Sequence, residues 1–183
     1  MDGARRKFDS SIRVAFQPAH RAYMIREHLI VPTVINIVIN GGIVAALFRA
    51  EEVVQIEGAA VFDFLPMAFL IAFMSCLIVT SVVARQVAKA DIEALPAASL
   101  PASGIALRPR WQRGLVLGSA AFVLLGLPAV GLTLWVGPAS LPYWSLVATK
   151  AAFGGLVGGI TGPIVGWWAL VAASRTALDS ARS

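Results

Sequence analysis

The residues best placed to do chemistry lie inside apolar runs of the chain. Thr33, Asn36 and Asn40 are spaced so that they share one face of a helix. Amide and hydroxyl side chains at that depth should point inward, either to hydrogen-bond a neighbouring helix or to line a path for a solute. Measured interhelical hydrogen bonds contribute only about 0.6 kcal/mol on average, so joining helices is the simpler expectation. A second pattern sits near the C-terminus, where Gly154, Gly158, Gly162 and Gly166 recur every four residues and Gly155 and Gly159 form an adjacent row. This extends the small-xxx-small pattern over roughly three helical turns and predicts close backbone contact with another helix. That helix could belong to the same chain, to a second copy or to another membrane protein.

Other chemistry is poorly represented. The nearest acid to a membrane interior is Asp63, at the edge of the second apolar run and before Pro66, where it suits a helix N-cap better than a proton relay. His20 and His28 both precede the first run, so they do not form a pair on facing helices that could ligate a haem. Cys76 is the single cysteine, which leaves no disulfide framework and no paired thiol ligands. There is no phosphate loop, dinucleotide glycine fingerprint or Ser/His/Asp arrangement, and the acids Glu51, Glu52 and Glu57 read as a solvated loop. No metal and no cofactor is expected. The segment Leu100–Gly104 resembles a sorting signal only superficially, because it is internal.

Composition explains where these residues must be held. The chain of 183 residues is 58% hydrophobic and 14% charged, with a mean hydropathy of +0.78. A soluble fold could not hide that much apolar surface. A hydrocarbon core about 30 Å thick needs roughly 20 apolar residues in a helix, and four runs qualify: Leu29 to Phe48, Phe64 to Ala84, Gly114 to Val136 and Ala151 to Ala173. None contains Lys, Arg, Asp or Glu, and Trp111, Trp135, Tyr143, Trp167 and Trp168 mark the interfaces. Pro128 and Pro163 should kink the third and fourth helices.

The expected fold is therefore an all-α membrane protein with four transmembrane helices in a small antiparallel bundle, preceded by a short amphipathic helix. Phe8, Ile12 and Phe16, amid Arg5, Arg6, Lys7 and Arg13, supply that amphipathic pattern. Residues 1–28 form the basic N-terminal segment, 29–173 the transmembrane domain, and 174–183 a tail. Helix two should run on through Arg85, Lys89 and Glu93 into a linker, 85–113, broken by Pro96, Pro101, Gly104 and Pro109. Too little apolar sequence precedes Leu29 for a cleaved signal, so the first span is expected to be an anchor.

The +5 net charge does not imply nucleic acid, because the basic residues fall between the apolar runs. Their clustering before the first run and between the second and third predicts cytoplasmic termini, with only Lys150 in the loop after the third. Abundant arginine and alanine suit a bacterial cytoplasmic (inner) membrane. The expected role is non-catalytic: helix packing, as a self-associating protein or an accessory subunit, with the lipid bilayer as constant partner. The alternative is a small transporter or channel component for a neutral or weakly polar solute.

Overall fold

The computed structural model describes residues 18–48, 51–56, 58–101 and 104–181. The amphipathic pattern of Phe8, Ile12 and Phe16 lies outside these residues. Among the described residues, four helices are long and apolar enough to cross a membrane: α1 (His20–Leu47), α2 (Ala60–Ala88), α3 (Arg110–Val136) and α4 (Tyr143–Ser180). In hydrocarbon every backbone polar group must be satisfied internally, and an unbroken helix does this within one segment.

Extensive packing joins α1 to α4, α4 to α2 and α2 to α3. Gly154 of α4 lies by Asn40 and Gly166 by His28, so α1 and α4 run antiparallel. Gly114 faces Phe73 and Gly126 faces Leu65, so α2 and α3 are antiparallel as well. A central core gathers Ala68, Ala72 and Cys76 of α2, Leu117 and Ala121 of α3, and Val157 and Val165 of α4. The all-α bundle expected from the sequence is thus the observed fold, with α4 at its centre and α1 on its flank.

Two of the helices absorb a proline by widening. Turns of π-helix span Arg26–Ile30 and Phe122–Gly126, two residues before Pro32 and Pro128. There the Val31 N–H reaches back five residues to the Arg26 carbonyl, and the Leu127 N–H to that of Phe122. The extra residue in the turn relieves crowding between a proline ring and the carbonyl before it. Pro163 lies within α4 without such a turn.

Several boundaries differ from those read in the sequence. Helix α2 ends at Ala88 rather than near Glu93, because Ala90 adopts a left-handed conformation (φ 59°). The Ala90 N–H bonds Val87 and that of Asp91 bonds Gln86, the paired closure that ends a helix with a left-handed residue. The linker then packs instead of hanging free. Leu95 and Ala106 are buried against Ala169, Leu170 and Ala173, and the Leu95 N–H donates to Ser174 Oγ at 2.9 Å. Helix α4 begins at Tyr143, not Ala151, and its 38 residues extend about 57 Å, well beyond a bilayer core.

Two short strands, β1 (Val53–Gln55) and β2 (Ser140–Pro142), pair antiparallel with Val54 opposite Leu141. They tie the α1–α2 connection to the α3–α4 connection at one end of the bundle. No alternating run marked either strand in the sequence, and three residues are too few to show one.

Candidate functional site

The two polar and glycine patterns singled out in the sequence meet as opposite sides of one seam. A side chain carbon added at Gly154 would lie 2.5 Å from Asn40 Nδ2, and one at Gly158 2.6 Å from Asn36 Nδ2 and 2.9 Å from the Pro32 carbonyl oxygen. At Gly159 it would meet Thr33 Oγ1 at 2.7 Å, and at Gly155 the Ile37 side chain at 2.6 Å. At Gly162 and Gly166 it would run into the His28 carbonyl oxygen and imidazole ring, respectively. Glycine is required along this face because α1 presses against the backbone of α4. The row is therefore occupied by the chain's own first helix, and a second subunit could reach it only by displacing α1.

The asparagines do not bond across the seam. Thr33 Oγ1 donates to the Leu29 carbonyl at 2.7 Å, Asn36 Nδ2 to Pro32 at 2.8 Å and Asn40 Nδ2 to Asn36 at 2.8 Å. Each satisfies itself one turn back in α1, because the glycines opposite offer no side chain and their backbone groups belong to α4. The seam is thus tight and polar-lined, yet self-satisfied.

Beside it lies a cleft of about 320 Å³ between α1 and α2, floored by α4 at Gly162. Its polar lining comes from Tyr23, Glu27, His28, Asn36, Ser75 and Gln86. Tyr23 bridges α1 to α2, donating from its hydroxyl to Gln86 Oε1 at 2.8 Å. Its ring meets that of His28 edge-on at 4.9 Å. His28 is 4% exposed, and neither ring nitrogen has a hydrogen-bond partner. Hydrocarbon chains cannot satisfy such groups, so this cleft suits a polar or amphipathic occupant.

Two buried cations were not legible as such in the sequence. Lys150 is not a loop residue but lies in the second turn of α4, 1% exposed. Its ammonium pairs with Asp63, donates to the Ala60 carbonyl at 2.8 Å and sits 3.4 Å from the centre of the Phe64 ring. Asp63 sits at the break between the short first turn of α2 and its main stretch, Phe64–Ala88, whose N-cap position it occupies, but its side chain makes no cap bond; the nearby ammonium is the stronger partner. Arg113, 2% exposed, donates to the Trp168 carbonyl at 2.9 Å and to Thr80 Oγ1 at 3.2 Å, joining α3, α4 and α2.

A further small-residue face also escaped the sequence reading. Phe69 and Phe73 of α2 stack with ring centres 5.6 Å apart, and their rings lie on Gly118 and Gly114 of α3. The available signal was a pair of four-residue spacings, Gly114/Gly118 and Phe69/Phe73, that become complementary only when the helices run antiparallel. Among the described residues, no three of His, Cys, Asp and Glu gather as metal ligands would. No protein-family model, curated protein or solved structure matches the chain.

Proposed function

We propose that the protein is a non-catalytic multi-pass membrane protein acting as an accessory subunit, and that it receives its partner in the cleft between α1 and α2. The observation that carries this reading is the set of polar side chains, with an imidazole that has no hydrogen-bond partner, in a cleft between two long apolar helices. The reading follows from which surfaces are already used. The glycine seam packs α1 against α4 within the chain, which leaves that row without room for a partner helix. The cleft instead offers an imidazole, a carboxylate and amides beside apolar walls, which a polar residue on a partner helix would satisfy.

A photo-crosslinking amino acid at Ser75 or Ile35, both on the cleft, should capture the same protein adduct in native membranes. The same probe at Leu124, 69% exposed on α3, should not. Lipid adducts alone at all three positions would end the accessory-subunit reading. The placing of Asn36 and His28 favours a second reading, a site for a neutral or weakly polar solute. That reading gains if no protein adduct forms and Asn36→Leu alters solute uptake into vesicles.

Arginine distribution supports a cytoplasmic position for the end that carries Arg21, Arg85 and Arg110, and arginine- and alanine-rich composition supports a bacterial inner membrane. In a Cys76→Ser background, cysteines at Ser10 and Ser99 should resist a membrane-impermeant thiol reagent in intact cells, while one at Gln55 should be labelled. The reverse pattern would invert the topology.

A further inference from the structure

A groove of about 510 Å³ lies along α1 and α4 on the side of the seam away from the polar cleft. Met24, Ile25 and Leu29 form one wall, and Pro163, Ile164 and Trp167 the other. Its size is that of an ordinary small-molecule site, but its walls are almost wholly apolar. Arg21 stands at one end, on the helical face it shares with Ile25 four residues later. The neighbouring His20 is buried and its Nε2 is held by the Glu93 carbonyl at 3.1 Å, so this first turn of α1 is fastened to the linker.

We infer that this groove binds a single anionic phospholipid, with an acyl chain between α1 and α4 and the phosphate at Arg21. An occupant must be apolar over most of its length and negative at one end, and a membrane lipid has that form. Charge selects the headgroup. Arg21 is the one Lys or Arg side chain that lines the groove, and a cationic side chain near a bilayer surface attracts anionic lipid; Arg85, Lys89, Arg108 and Arg110, at the same end of the bundle but off the groove, mark that end as the headgroup side. Of the acids at that end, Glu27 is engaged by Arg26 at 3.4 Å and lines the other cleft, while Asp179 is engaged by Arg175 at 3.8 Å. Asp91 and Glu93 belong to the linker, and neither lines the groove. The site thus recognises both parts of an amphiphile, whereas the cleft between α1 and α2 presents the carboxylate of Glu27 and no Lys or Arg to hold a phosphate.

The test uses the indoles already present. Trp111, Trp135 and Trp144 are 52%, 86% and 71% exposed, so replacing all three with phenylalanine leaves Trp167 and Trp168 as reporters without disturbing the core. The full chain is placed in vesicles of equal phosphatidylglycerol and phosphatidylcholine, with bromine on the chains of one lipid or the other. Overall composition is constant and only the quenching label changes. Quenching should show about a fivefold preference for phosphatidylglycerol at these indoles, the effect of one basic side chain at a bilayer surface. Arg21→Gln should abolish the preference, and Arg108→Gln, off the groove, should retain it. Equal quenching by the two lipids, or a preference that survives Arg21→Gln, would overturn the proposal. Arg21 is exposed, so its replacement leaves the fold intact, and the unmodified Arg21 protein is by itself a complete test of selectivity.

Discussion

Gly162→Ala is expected to destabilise the protein by about 3 kcal/mol, although alanine is the better helix former and only a methyl group is added. The added carbon would be driven into the His28 carbonyl oxygen, a backbone atom that cannot rotate away. Relief requires α1 to move off α4, and the contacts at Gly158 and Gly159 would loosen with it. Gly131 and Gly42 supply the control, because an added carbon meets nothing within 4 Å at either. Alanine there should stabilise by up to about 1 kcal/mol through helix propensity. Denaturation midpoints of the three variants in a mild detergent read the contrast directly. Equal midpoints would show that α1 does not rest on the glycine row.

The same geometry governs a larger replacement. Gly158→Leu should insert normally and then be degraded, because the clash falls inside one chain. A variant that stays abundant but assembles into a smaller crosslinked species would place the row between subunits instead. Hydrophobicity predicts the opposite sign, since leucine suits lipid better than glycine, so the outcome separates packing from transfer.

The second large effect belongs to the buried ion pair, and it is unequal between the partners. Asp63→Asn should cost about 3 kcal/mol, since it leaves the Lys150 ammonium with only a carbonyl and the Phe64 ring in an enclosed site. Lys150→Met should cost less than about 1 kcal/mol. Asp63 is 44% exposed, so its carboxylate can return to solvent, and methionine fills the vacated channel with an apolar chain of similar length. The pair of variants together should recover most of the loss seen in Asp63→Asn alone. Thermal unfolding of the three proteins checks this order. If Lys150→Met proves the more damaging, the ammonium is holding the fold through its carbonyl and ring contacts and not through the carboxylate.

The sequence by itself determined the number and type of the spanning elements, because hydrocarbon forces about 20 apolar residues into each helix whatever its neighbours do. It also marked the helical faces that matter. Thr33, Asn36 and Asn40 fall on one face through the 3.6-residue period, as the glycines of α4 do, and both faces proved to be contact surfaces. What periodicity could not say was that these two faces belong to each other. Pairing is a property of helix arrangement, and in lipid most apolar faces have similar affinity for lipid and for one another. Only the antiparallel placing of α1 on α4 decided that the glycine row is spent inside the chain and that the asparagines bond back to their own helix. Lys150 was hidden for a related reason. A lone charge beside an apolar run reads as a loop until a carboxylate, a carbonyl and an aromatic ring from another helix surround it. The cleft and the groove are further from the sequence still, since the one needs α1 set beside α2 and the other α1 set beside α4, and neither neighbour is legible in α1 itself.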